Sequence, residues 1–195
     1  SIAEGLPQSQ VFAVCQDSAG YIWAGTQGGG VAIFDGQKFK TLTVDNGTLM
    51  SEYINYLYTG SDHKVWIGTM QGAYYYQKEK LQETKSEYKN NIQINVITEW
   101  NKIMYVGSNK GLFMYSPESD SLIQSSLNFK STSTIHDLKV VNGQLLVASD
   151  KGLWISKNNS ETFKKVPGLP FPNINQIHGD DFGFIWLAIY GYGLL

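Results

Sequence analysis

The sequence predicts an all-β fold, a β-propeller built from about five four-stranded blades of roughly 40 residues each. Three observations predict it. The phrase "DSAGYIWAGTQGGG" at 17–30 returns as "DDFGFIWLAIYGYG" at 180–193, and "GLPQSQV" at 5–11 returns at the same offset as "GLPFPNI" at 168–174. Three further copies lie between, in phase with the first and last. Every copy reads as short apolar and β-branched runs separated by turn residues, which is the signature of strands and not of helix.

The copies align on one large residue of the second strand. These anchors are Trp23, Trp66, Tyr105, Leu146 and Trp186, spaced by 43, 39, 41 and 40 residues. Such a residue is expected to pack against the sheet of the next blade, where truncating it costs about 3–5 kcal/mol. A role in stacking on a sugar would need it exposed, and recurrence in every unit favours the core. The units run approximately over 11–53, 54–93, 94–134, 135–173 and 174–195, the last incomplete, in a single propeller segment covering 1–195.

Within each unit the turns are readable. Asp17-x-x-Gly20 and Asp180-x-x-Gly183 supply a tight turn between the first and second strands. "SNKG" and "SDKG" suit a three-residue hairpin loop, a type I turn followed by glycine, before the third strand. "VAIF" (31–34) and "FKTLT" (39–43) then give the third and fourth strands of the first unit.

Composition bounds the function. The net charge of −2 offers no broad basic field for nucleic acid or for a membrane surface. All 15 basic residues are lysine, so the planar fork favoured for bidentate phosphate or carboxylate recognition is missing. Cys15 is alone and forms no intramolecular disulfide. No apolar run approaches the roughly 18 residues of a membrane span. "SIAEGLPQSQ" has neither the basic start nor the apolar stretch of a signal peptide. The chain opens and closes inside its repeat pattern and is expected to be a piece of a longer protein, with a second copy as a candidate partner.

No catalytic constellation stands out. His63 occupies the turn position of Gly20, His136 adjoins Asp137 on a strand whose neighbours face opposite sides, and His178 precedes "GDD" without a partner. No metal site or cofactor motif is expected, since there is no zinc spacing and no Gly-x4-Gly-Lys-Ser/Thr loop. The glycines of "TQGGG" suggest a phosphate cradle, but no helix follows them. Of the acids placed near strand ends, Asp17, Asp62, Asp137, Asp180 and Asp181, those in the repeat turns already have a structural role. A glycosidase pair brought together by folding stays open as an alternative.

One column suits binding. The second residue of the first strand reads Phe12, Asn55, Asn95, His136 and Asn175. That strand is innermost in a propeller, so Asn55, Asn95, His136 and Asn175 are candidates to line the channel mouth and hydrogen-bond a small polar ligand. The alternative is that they bind channel water or the backbone of the next blade. The aromatics of "YYY" (74–76) and "YGYG" (190–193) are further candidates to stack on sugar rings, although alternation places at least one of the first trio in the core.

Two resemblances follow from these motifs. "SKNNSETF" (156–163) resembles a degenerate Asp box of sialidase-type propellers through Ser156, Thr162 and Phe163, with Asn158 and Ser160 in place of Asp and Gly. It implies fold only. The repeat itself, carried by Gly5-Leu6-Pro7, Asp17, Gly20, Ile22-Trp23 and Gly25-Thr26, and echoed in Trp66-Ile67-Gly68-Thr69 and at Asp180, Gly183 and Ile185-Trp186, resembles the two-component regulator propeller repeat. The resemblance implies the periplasmic or extracellular sensor region of a membrane-bound hybrid histidine kinase, non-catalytic, with neighbouring propeller domains of the same protein as partners and breakdown products of complex polysaccharides as ligands. It also implies a ring of seven blades, of which this chain would be a fragment; closure as five is the alternative. Two other functions stay open: a structural or adhesion propeller of a surface or secretion protein, and a glycan-cleaving enzyme.

Overall fold

The computed structural model describes residues 5–46, 49–89, 91–125, 133–156 and 162–195. The first blade comprises β1 (Val11–Gln16), β2 (Ile22–Thr26), β3 (Val31–Phe34) and β4 (Phe39–Leu42). The second has β5 (Ile54–Thr59), β6 (Val65–Thr69), β7 (Gly72–Gln77) and β8 (Lys80–Glu83), and the third β9 (Ile94–Trp100), β10 (Ile103–Ser108), β11 (Gly111–Ser116) and β12 (Ser121–Gln124). The fourth has β13 (Ile135–Val141), β14 (Gln144–Ser149), β15 (Gly152–Ser156) and β16 (Phe163–Lys165). The fifth has three strands, β17 (Ile174–Gly179), β18 (Ile185–Ile189) and β19 (Gly193–Leu194). Each sheet is an antiparallel meander in chain order. The first strands pack in succession, β1 on β5, β5 on β9, β9 on β13 and β13 on β17, whereas no comparable packing joins β1 to β17 among the described residues. The result is an open arc of five blades, a partial propeller.

The core lies between blades and not within them. Trp23 packs with Ile54, Leu57, Val65, Ile67 and Tyr74 of the second blade, and Trp66 with Ile94, Ile97, Met104, Val106 and Phe113 of the third. Tyr105 packs with Ile135, Leu138, Leu145 and Val147 of the fourth blade, and Leu146 with Ile174, Ile177, Leu187 and Ile189 of the fifth. These four anchors are buried, as the repeat predicts. Trp186 corrects the expectation for the fifth, because it is 43% exposed. Its sheet has no following sheet to cover it among the described residues.

Close approach sets the residue after each anchor phrase. A methyl group on Gly25, Gly68 or Gly107 would come within 2.5, 2.7 and 2.7 Å of the Cγ2 of Ile54, Ile94 and Ile135, respectively. All three isoleucines are fully buried and begin the first strand of the next blade. Ala148 takes the glycine position in the fourth blade, facing Ile174 in the shared core. The hydroxyls that follow, Thr26, Thr69, Ser108 and Ser149, each donate to a carbonyl of the hairpin glycine, at 2.9, 2.9, 3.0 and 2.9 Å, and are wholly buried. The same oxygens accept N–H bonds from within the turn. In the second to fourth blades these hairpins are one residue tighter than the sequence suggests: Thr69 pairs with Gly72, Ser108 with Gly111 and Ser149 with Gly152, leaving two turn residues.

The turn between the first and second strands depends on a carboxylate. Asp17 Oδ1 accepts the N–H groups of Ala19 and Tyr21, and Oδ2 accepts the Trp23 indole N–H at 2.8 Å. Asp180 repeats every one of these contacts with Phe182, Phe184 and Trp186. The second blade has Gly60 where that aspartate would stand, and its buried Trp66 Nε1 has no partner among the described residues. The residue three before the anchor has positive φ in all five blades: Gly20, His63, Lys102, Gly143 and Gly183. His63 is thus an exposed turn residue, as its place in the repeat implies. Of the degenerate Asp box, residues 157–161 lie outside the described residues; Ser156 pairs with Phe163, and its buried hydroxyl accepts the Leu145 N–H at 2.9 Å.

Gly68→Ala drives a methyl group into Ile94 and is expected to cost about 1–3 kcal/mol, the range for overpacking a filled core. Urea denaturation should show the midpoint falling with the slope unchanged.

Candidate functional site

Every innermost strand carries a bulge at its second residue. The pairing register shifts across Phe12, Asn55, Asn95, His136 and Asn175 alike. A bulge adds an unpaired residue and re-aims its side chain, so the column singled out in the sequence is set apart by backbone geometry. It lies at the end of the arc where the first strands begin. The β2–β3 type turns approach the same rim: the N–H groups of Gln27, Met70, Asn109, Asp150 and Tyr190 donate to the carbonyls of Gln10, Tyr53, Gln93, Thr134 and Asn173.

The four candidate residues are not used alike. Asn55 Nδ2 donates to the Ile94 carbonyl at 2.8 Å, and Asn95 Nδ2 donates to the Ile135 carbonyl at 2.8 Å. Both amides therefore clamp one inner strand to the next. Asn95 Oδ1 also accepts from Gln93 Nε2 at 3.0 Å, which engages both ends of that side chain. His136 is half-buried, and its Nε2 has no partner among the described residues. Asn175 is exposed on the last inner strand, and Phe12 is exposed on the first. The row is thus two interblade clamps, one imidazole and one free amide, not a continuous ring of donors.

Asp137, next to the bulge, joins the fourth and fifth blades. Its Oδ1 accepts the Leu138 N–H at 2.8 Å and its Oδ2 accepts the Ile177 N–H at 2.7 Å. Burial pushes the Asp137 pKa above the usual carboxylate value, outweighing these two bonds. The same burial effect raises the phenol of Tyr56, with the charge of Asp137 adding to it. Sequence reading missed this junction, since nothing in "IHDLKV" marks a partner 40 residues away.

The other acids have local tasks. Asp180 is held below its ordinary pKa first by the Trp186 indole N–H, then by the N–H groups of its turn. Asp17 makes the same bonds, and Asp62 pairs with Lys64 at 2.9 Å. His178 is exposed. The "TQGGG" glycines present N–H groups as the sequence suggests, but Gly28 and Gly30 both donate to the Glu52 carbonyl, at 3.0 and 3.1 Å. Among the described residues no three His, Cys, Asp or Glu side chains form a group able to hold a metal ion, and no helix is long and apolar enough to cross a membrane. Of the aromatic runs, Tyr74 and Tyr75 are core, Tyr76 is half-buried, and Tyr190 and Tyr192 are exposed.

Residues 5–28 match the two component regulator propeller family. No curated protein sequence matches the chain. Among solved structures, the chain is similar to the extracellular domain of BT3049 from B. thetaiotaomicron, described as a hybrid two component system: 26% identity, TM-score 0.76, covering 98% of this chain and 27% of that one. It is also similar to the extracellular domain of BT4673 from the same organism, at 20% identity and TM-score 0.79 over 96% of this chain and 27% of that one. Virginiamycin B lyase from Staphylococcus aureus shares the fold at 14% identity and TM-score 0.70, over 92% of this chain and 63% of the enzyme. The chain thus spans about a quarter of the length of the two extracellular domains.

Two outcomes are expected at this rim. Asn95→Ala leaves the Ile135 carbonyl without its donor and should cost about 1–3 kcal/mol in chemical denaturation. Asp137 has a folded pKa above its unfolded value, so its contribution to stability is fully present below pH 3.8 and is lost as pH rises through the higher folded pKa. The stability difference between the parent and Asp137→Asn, followed by urea unfolding from pH 3 upward, should fall with rising pH.

Proposed function

We propose that this chain is part of the extracytoplasmic sensing region of a bacterial two-component receptor, and that it binds a carbohydrate-derived signal without converting it. The observation that carries this reading is the combination of a regulator-propeller repeat at residues 5–28 with a fold that follows the BT3049 extracellular domain over 98% of the chain. The uncovered fifth blade supports the rest of the picture. Trp186 stands exposed where Trp23, Trp66, Tyr105 and Leu146 are buried against a successor, so further blades of the same protein are the natural continuation of the arc. The likeness to a lyase is a likeness of fold at 14% identity, and Asp17, Asp180 and Asp137 are committed to turns and to the interblade junction.

A receptor of this kind works by differential affinity. Ligand favours one of two arrangements of the assembled receptor, and the shift is limited by the difference in binding free energy between them.

The test uses the full reading frame. Flanking repeats, an apolar helix of about 20 residues and a kinase core are expected, and the encoded extracellular region should bind one member of a panel of polysaccharide-derived oligosaccharides in titration calorimetry without product formation. A secretion-type domain with no membrane span would replace the sensor by a surface scaffold. Cleavage of the bound oligosaccharide would replace it by an enzyme.

A further inference from the structure

We propose that the groove between the first and second blades is a binding site for a neutral saccharide of one or two rings, seated on Tyr21 and Tyr76. This rests on the carbohydrate reading above and gives it a location away from the inner rim. The groove has a volume of about 480 Å³, and its lining includes the edge-on pair of buried Trp23 and half-buried Tyr76, with ring centroids 5.0 Å apart.

The repeat supplies an internal comparison. The equivalent groove between the second and third blades has a similar volume, about 440 Å³, but its aromatic faces are already taken. Lys64, two residues before the anchor Trp66, places its Nζ 4.9 Å from the ring centroid of Tyr75, 5.4 Å from Tyr115 and 5.9 Å from Trp66, and is tied to Asp62. In the first groove the position of Lys64 is held by Tyr21, which is 45% exposed. Tyr76 corresponds to Tyr115, each standing four residues after its hairpin glycine. The nearest cation there is Lys40, with Nζ 3.3 Å from the Tyr76 hydroxyl and 5.7 Å from the ring centroid. Those two distances put the ammonium beyond the hydroxyl end of the ring and leave the ring face uncovered by it.

The backbone adds a second observation. Lys78 and Glu79, at the turn between β7 and β8, both adopt positive φ, 50° and 61°. The other two-residue turns with this pair of signs, Asn101-Lys102 and Asn142-Gly143, begin with asparagine, which tolerates that conformation. Lys78-Glu79 has neither Asn nor Gly, and strain retained in this way is characteristic of sites that need a side chain held in place. Here it sets Glu79 on the groove wall.

The lining chemistry selects the ligand class. Asp35, fixed by the N–H groups of Gln37 and Lys38 at 2.8 Å each, and Glu79 face Lys38 and Lys40. Asp17 also borders the groove, but its oxygens are used by the turn and by Trp23. With Asp17 the lining carries three carboxylates against two ammonium groups, a surplus of one negative charge that disfavours an acidic sugar and leaves a neutral one. The charged groups offer acceptors and donors to vicinal hydroxyls, while the tyrosine faces offer an apolar seat to the C–H face of a sugar ring.

The experiment is calorimetric titration of the protein, expressed from its full reading frame, with neutral gluco-, galacto-, manno- and xylo-disaccharides. Glucuronate and L-tyrosine serve as the ionic and zwitterionic comparisons. Tyr21→Ala and Lys38→Ala remove exposed side chains and leave the interblade core intact; Asn175→Ala alters the exposed inner rim. One neutral disaccharide is expected to bind, about tenfold more weakly in Tyr21→Ala and measurably more weakly in Lys38→Ala, with Asn175→Ala unchanged. Disaccharide binding that is indifferent to both groove variants overturns this location and leaves the carbohydrate reading standing. Preference for glucuronate or L-tyrosine, abolished by Tyr21→Ala, overturns the neutral class. Binding of no panel member overturns the inference, and longer oligosaccharides then decide the broader reading separately.

Discussion

The structure depends on one contact repeated four times: an isoleucine at the start of an inner strand pressed onto the glycine or alanine that follows the anchor of the preceding blade. Ile54, Ile94, Ile135 and Ile174 are all fully buried in these seats. A sheet whose outer faces are covered only by its neighbours has no core of its own, so the seating distance decides how closely two blades approach. That distance in turn decides whether the anchor side chain fills the layer between them. The remaining features serve this contact. The bulge turns the inner strand into position, the asparagine after Ile54 and Ile94 bonds the carbonyl of the next isoleucine, and the Thr or Ser hydroxyl closes the hairpin that carries the small residue.

The substitutions along the chain show what this scheme tolerates. Tyr105 and Leu146 replace tryptophan and remain buried, because the layer demands volume and an apolar surface, not an indole. Their turns have changed in step: Asn101-Lys102 and Asn142-Gly143 are short and need no aspartate to hold a loop and an indole N–H. The second blade kept the tryptophan and lost the aspartate, and its Nε1 is left without a partner. The indole and the carboxylate of the repeat are thus one device, and the third and fourth blades dispensed with both halves.

Much of the fold was legible in the sequence for a simple reason. An anchor that recurs every 40 residues or so, with turn chemistry at fixed distances from it, reports a constraint imposed identically in each blade. The order of strands, the left-handed turn position and the burial of four anchors follow from it. Trp186 was misjudged because burial belongs to a pair of blades, and a single repeat cannot say whether its partner is there. The candidate site was less legible. The bulged column was visible, yet whether Asn95 faces a ligand or the Ile135 carbonyl depends on a contact across 40 residues that no local pattern encodes. The first groove was not visible at all, since Tyr21, Lys40 and Glu79 come from three different loops and strands of two blades and have no period.

The location of the core between blades also governs how such a molecule changes in length. Each blade presents a small residue and an anchor on one side and an isoleucine on the other, so every blade is both socket and plug. A whole repeat can be gained or lost while every other junction keeps its two partners, whereas a cut inside a repeat leaves two junctions incomplete. In an array of this kind stability is a sum over neighbouring pairs. The uniform seats preserve the arc, and the grooves where consecutive repeats differ, as Tyr21 differs from Lys64, are free to diverge.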